Sequence, residues 1–203
     1  MPIKSDREYR TITKPFEVRK AEETENSYIV EGYATTFNEP YLLWTDDDGV
    51  EYYEQIDRGA FENTDMSDVI MQYDHAGMVF ARNKNGTLQL ETDDNGLKVI
   101  ADLSSTKASR ELYDAINKGL IDQMSFAFTV SADAYDRKSK TRTVTGIRKL
   151  YDVSAVSIPA NPETTIAARA FIEGEIEKER EEIARAEELE KRKQKIRILT
   201  EVF

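Results

Sequence analysis

The chain has 203 residues, a formal net charge of −11, 39% hydrophobic and 33% charged residues, and no cysteine. A domain of about 150 residues buries roughly two thirds of its unfolded surface, so one body with an appendage is expected. The missing cysteine excludes a thiol nucleophile, disulfides and thiolate metal sites. Acids and bases are interleaved with no basic stripe, so neither nucleic acid nor an anionic membrane surface is an expected partner. Residues 1–10 lack an apolar core of the signal-peptide kind, and no window approaches the roughly 18 apolar residues of a membrane span, which predicts a soluble, intracellular protein.

In chain order, residues 1–26 are charged and weakly periodic. Ser27 to Phe37 is rich in β-branched and aromatic residues and reads as a strand. Residues 45–49, Thr-Asp-Asp-Asp-Gly, read as a solvated turn; they imitate part of a calcium loop but lack its distal Glu. Strands are predicted over Gly86 to Glu91 and Leu97 to Leu103, joined at Asp93 to Gly96 by a hairpin signal. Thr106 to Lys118 has helical spacing, with Ala108, Leu112 and Ile116 on one face and Gly119 to end it. Met124 to Val130, Thr141 to Thr145 and Lys149 to Ile158 read as three further strands, the last closed by Pro159.

Composition changes after Phe171. Residues 172–199 are mostly Glu, Lys, Arg and Ala with spaced Ile and Leu, predicting a long mixed-charge helix. Its apolar seam (Ile172, Ile176, Ile183, Leu189, Ile196) is too thin to bury against a large core, so the helix is expected to project and to dock on another helix or stand solvated. The domain reading is therefore a β-rich α+β body over 1–171 and a charged helical tail over 172–203.

The single histidine narrows the chemistry. His75 is the one side chain whose ordinary pKa suits proton transfer near neutrality, so any triad must combine Ser or Thr with His75 and an acid. A histidine beside an aspartate is as readily structural or solvated. Ser125 opens the apolar strand Phe126 to Val130 at a helix-to-strand junction, where it could face a cleft or simply bond its hydroxyl to backbone. Metal hydrolysis has no support: there is no His-Glu-x-x-His spacing, and neither metal nor cofactor is expected. No Gly-x-Ser-x-Gly elbow is present, which argues against an ordinary esterase. On residues alone the reading stops at a serine hydrolase candidate.

Six segments in order resemble the tailed-phage prohead (capsid maturation) serine protease family, over roughly residues 8 to 170. They are the opening strand Tyr28 to Asn38, the segment Glu54 to Phe61 ending Gly-Ala-Phe, and His75 four residues after Met71. Then come the hairpin around Gly86-Thr-Leu and Asn95-Gly-Leu, Gly119-Leu-Ile-Asp-Gln-Met-Ser-Phe-Ala-Phe128, and Asp152-Val-Ser to Pro159-Ala-Asn-Pro162. Asp74 stands where the family often has Asn, and Ala81 where it often has Gly; a charged Asp74 close by would raise the histidine pKa. The family is similar in turn to herpesvirus assemblins, which implies a β-barrel surrounded by helices. It also implies Ser125 as nucleophile and His75 as general base. Where assemblins use a second histidine this chain has none, so Asp152 is the expected orienting acid, with backbone N–H groups at Ala160 and Asn161 as oxyanion donors by analogy. The resemblance further implies cleavage of phage major capsid protein and its scaffold segment, self-cleavage or self-association, and residence inside the immature prohead in the host cytoplasm. A non-enzymatic capsid-assembly or scaffolding protein that keeps the fold is the competing reading.

Overall fold

The computed structural model describes residues 7–12, 17–18, 28–157 and 165–201. Among the described residues eleven strands run in chain order: β1 (Glu8–Ile12), β2 (Glu17–Val18), β3 (Ile29–Thr36), β4 (Tyr41–Thr45), β5 (Glu51–Ile56), β6 (Ile70–Tyr73), β7 (Ala76–Arg82), β8 (Leu88–Thr92), β9 (Gly96–Asp102), β10 (Gln123–Asp136) and β11 (Thr141–Val156). Helix α1 (Lys107–Asn117) lies between β9 and β10, and α2 (Thr165–Glu201) follows β11. The chain divides into two compact units, Met1–Ile166 and Ala167–Phe203.

The first unit is built on two sheets. One has four strands in the order β2-β3-β9-β8. The other has seven, with β1-β10-β11-β5-β4 as its path and the β6–β7 hairpin attached to β11. Its spine is β11, whose start (Thr141 to Val144) pairs in parallel with β5 and whose end (Asp152 to Ala155) pairs in parallel with β6. Among the described residues these ladders form two sheets and do not close into the barrel that the assemblin likeness implies. One apolar cluster joins them, drawing Val30 and Ala34 from β3, Leu97, Val99 and Ala101 from β9, Phe126 and Phe128 from β10, and Leu150 and Val153 from β11. Leu97, Val99 and Ala101 at alternate positions of β9 supply the period-2 face that this packing requires.

The sequence reading placed two strands where β11 is one. Gly146 lies in the gap between them. In the structure pairing runs through it: Ala132 lies opposite Gly146, at register shifts on either side of Ala132. A Cβ at position 146 would stand 2.7 Å from the Ser131 hydroxyl, so glycine is what lets the irregular β10 approach there. The strands β1, β4, β5 and β7, absent from the sequence reading, are short or only weakly alternating.

Helix α1 follows its sequence closely. The Thr106 hydroxyl accepts from the Ser109 N–H at 3.0 Å as the N-cap, and Gly119 at φ +69° ends the helix with its N–H donating to Ile116 O. Its buried face is Ser109, Leu112 and Ile116; Ala108 is only half-buried, and Ser109 takes its place by donating to Phe80 O of β7 at 2.9 Å. The turn at 45–49 also forms, with Gly49 at φ +79° and the Asp46 carboxylate accepting from the Asp48 and Val50 N–H groups.

The second unit carries all but the first two residues of α2, which begins at Thr165, seven residues before the composition shift that suggested its start. Side chains from Glu181 to Gln194 are exposed, and opposite charges pair along it, as in Arg169–Glu173 and Arg185–Glu181. Among the described residues no helix is long and apolar enough to cross a membrane.

Candidate active site

His75 sits at the tip of the β6–β7 hairpin. Tyr73 pairs with Ala76, leaving a two-residue turn, Asp74-His75, whose φ angles are +47° and +56°. Both residues therefore occupy the left-handed region that tight hairpins need, a place normally given to Asn-Gly or Asp-Gly. Asp tolerates it; a histidine there carries a strain of about 1 kcal/mol or more, of the sort that collects at functional sites. The tip is pinned to the end of β11, where Asp74 donates its N–H to Ala155 O at 3.0 Å and its carboxylate accepts from the Ser157 N–H and hydroxyl, both at 3.0 Å. Asp74 thus fixes the turn through Ser157, a role the sequence did not suggest.

Ser125 and Asp152 come from the two central strands. In the antiparallel β10–β11 register Ser125 lies opposite Ser154 and Ala127 opposite Asp152. Ser125 and Asp152 are therefore diagonal neighbours on one sheet face, about 7–8 Å apart at their backbones. An imidazole with a hydrogen bond at each nitrogen fills such a gap, and the hairpin delivers one. His75 Nδ1 lies 2.6 Å from Asp152 Oδ1, and His75 Nε2 lies 2.7 Å from Ser125 Oγ.

The environment decides proton placement. Ser125 is 2% exposed and Asp152 3%, while the His75 side chain keeps 17% of its surface. A buried carboxylate needs donors, so Nδ1 carries its hydrogen toward Asp152 and Nε2 is left to accept from the serine hydroxyl. Ser154, fully buried, donates its hydroxyl to the same Asp152 Oδ1 at 2.8 Å. The sequence reading quoted Ser154 inside a motif without giving it work. Its signal was there: two residues after Asp152 on a strand means the same face.

The three residues singled out by sequence are thus brought together in one hydrogen-bonded line. Ala160 and Asn161, expected to supply oxyanion donors, lie outside the described residues. Among the described residues no cluster of three or more His, Cys, Asp or Glu side chains could hold a metal ion.

A second polar cluster is buried on β1, β5, β10 and β11. Arg10 binds Glu54 through Nε and Nη2, and Glu8 through Nη2 at 2.5 Å. Arg142 reaches Glu54 at 2.7 Å, Glu8 at 2.8 Å and Asp133 at 2.7 Å, and Tyr41 donates to Glu54. Burial opposes the Arg10 charge, but Glu54, Tyr41 and Glu8 outweigh it and raise the guanidinium above its ordinary value. Burial alone would raise the Glu54 carboxyl; Arg10 and Arg142 overcome it and hold that carboxyl below the usual range.

The sequence profile of the caudovirus prohead serine protease family matches residues 14–182. The prohead protease of Enterobacteria phage HK97 is 31% identical over 150 residues, covering 72% of this chain and 62% of that protein, so the chain spans less than two thirds of that relative's length. No solved structure matches. A match over most of the chain places it: the chain belongs to the caudovirus prohead serine protease family.

Proposed function

We propose that this protein is a serine endopeptidase of prohead maturation, with Ser125 as nucleophile, His75 as general base and Asp152 as the acid that orients the imidazole. The observation that carries the reading is the unbroken line Ser125 Oγ–His75 Nε2, His75 Nδ1–Asp152 Oδ1, at 2.7 and 2.6 Å, in a chain with one histidine. Ser125 Oγ attacks the scissile carbonyl carbon while its proton passes to His75 Nε2. The resulting imidazolium faces the Asp152 carboxylate, which favours the charge. The proton then moves to the leaving amine as the C–N bond breaks, leaving an acyl-serine. Water, deprotonated by the same imidazole, cleaves that ester and regenerates the hydroxyl. Backbone N–H groups at Ala160 and Asn161 would stabilise the oxyanion.

The substrates proposed are the phage major capsid protein, its scaffold segment and the chain itself, cut inside the immature prohead in the host cytoplasm. The body over 1–171 does the chemistry in an assemblin-like architecture, and the charged helix over 172–203 serves docking or self-association. The family assignment and the HK97 relative's description support this reading. Co-expression with the phage capsid protein tests it. Truncated capsid protein is expected with the wild type, none with Ser125→Ala, and at least about a hundredfold slower cleavage with Asp152→Asn, the change that favours the wrong imidazole tautomer. Cleavage persisting in Ser125→Ala would overturn the nucleophile. Intact capsid protein with every variant, the wild type included, would favour an assembly protein that keeps the fold.

A further inference from the structure

We infer that the N-terminal strand β1 is part of the catalytic machinery, with Tyr9 as a positioning residue that fixes the plane of the His75 imidazole; this rests on the proposed role of His75 as general base. The two hydrogen bonds of His75 run through opposite ring nitrogens. They hold the ring ends but resist rotation about the Nδ1–Nε2 line only weakly, because acceptor geometry at oxygen is broad. A third contact is needed to set the tilt. The Tyr9 ring supplies it, edge-to-face on the imidazole with centroids 4.7 Å apart and planes at 73°, within the range favoured for aromatic pairs.

Register explains how Tyr9 gets there. β1 pairs antiparallel with the nucleophile strand, Thr11 opposite Ser125 and Tyr9 opposite Ala127, and Ala127 in turn lies opposite Asp152. Tyr9, Ala127 and Asp152 thus form one row across three strands. The small side chain of Ala127 leaves the row open for the tyrosine ring to lean toward the histidine. Alternation along β1 sends Glu8 and Arg10 to the other face, where both join the buried ion cluster with Glu54 and Arg142. Arg10 also donates from Nη1 to Tyr9 O at 2.8 Å, clamping the backbone that bears the ring. The strand precedes the span of 14–182 over which the family profile matches.

The test uses full-length wild type and Tyr9→Phe, Tyr9→Leu and Tyr9→Ala, with two readouts. The first is the second-order rate of Ser125 labelling by a fluorophosphonate probe. The second is the imidazole NMR spectrum, which a chain with one histidine gives without assignment ambiguity. Tyr9→Phe should label within about twofold of wild type, because it keeps the ring. Tyr9→Ala should label about tenfold more slowly, the cost of a loosely placed base, with its downfield Nδ1–H signal broadened by exchange with water. Tyr9→Leu keeps apolar cover without a flat ring and carries the same expectation should the alanine variant not fold. Wild-type labelling and a sharp Nδ1–H signal in Tyr9→Leu or Tyr9→Ala would overturn the inference, as would Tyr9→Phe behaving like Tyr9→Ala. A wild type that does not label would sink the proposed function instead, and the NMR comparison would still decide the role of Tyr9.

Discussion

Strand β1 touches two buried polar clusters, one through Tyr9 and the other through Glu8 and Arg10, and they are built on opposite principles. The Glu8–Arg10–Glu54–Arg142–Asp133 cluster is closed: forked guanidiniums meet several carboxylates, and every member but the rim residue Asp133 has more than one partner. The Ser125–His75–Asp152 line is open: each link is one hydrogen bond, and its middle member is an imidazole, which can donate at one nitrogen and accept at the other. Redundancy suits a device that must not change state. A single-file line with a half-buried imidazole suits one that must pass a proton. The first cluster should therefore govern stability and the second turnover.

The largest expected effect separates the two. His75→Asn should lower the rate of Ser125 labelling and of capsid cleavage by at least about 10⁴-fold, since the serine loses its base. Its stability should change by no more than about 1–2 kcal/mol, because asparagine is the non-glycine residue best suited to φ +56° and only two side-chain hydrogen bonds are lost. Kinetics beside urea denaturation would check both halves. A variant that cannot fold would mean the line is also structural.

Arg142→Met should do the reverse. It leaves Glu8 and Glu54 with Arg10 alone and takes from Asp133 the guanidinium it pairs with, in a site where the Arg142 side chain is 3% exposed, and losing one partner of a buried pair costs about 3–5 kcal/mol. Acid adds a sign. The Glu54 carboxyl is held below its ordinary value in the fold by Arg10 and Arg142 against the opposing effect of burial, so its contribution is full above the unfolded value and is lost as pH falls through the folded one. Wild-type stability should therefore fall on acidification below about pH 4.5, the ordinary glutamate range. Arg142→Met should show a shallower fall, having already lost part of what protonation removes. Denaturation midpoints across that range would check the slopes, and equal slopes would mean Glu54 is not the group being read.

How much of this was legible in the residues follows the same division. Ser125, His75 and Asp152 stand in local motifs, and α1, with its Thr106 cap and Gly119 stop, is written in consecutive residues. Tyr9 and Ser154 act through register: nothing near residue 9 in sequence says that it faces Ala127, 118 positions on. For Arg10 and Glu54, nothing in either neighbourhood announces a partner 44 residues away. The early helix start at Thr165 was hidden because residues 166–171 are apolar except for Arg169 and precede the charged composition used to find it.

The smallest effect probes the open line at its least conspicuous member. Ser154 donates to Asp152 Oδ1, the oxygen that also accepts from His75. Ser154→Ala removes that donor, and the carboxylate, freed on one side, gains rotational freedom while its remaining charge leans more heavily on the imidazole N–H. Orientation is loosened and basicity increased, so the two consequences partly oppose each other. The net expectation is a loss of about three- to tenfold in labelling rate, with the base's apparent pKa in the pH–rate profile moved upward, since a less satisfied carboxylate favours the imidazolium. The upward move is the discriminating reading. A purely packing role for the Ser154 hydroxyl would slow the enzyme with the profile unmoved, whereas a shift to lower pH would mean that the hydroxyl had been strengthening the Asp152–His75 pair rather than sharing it.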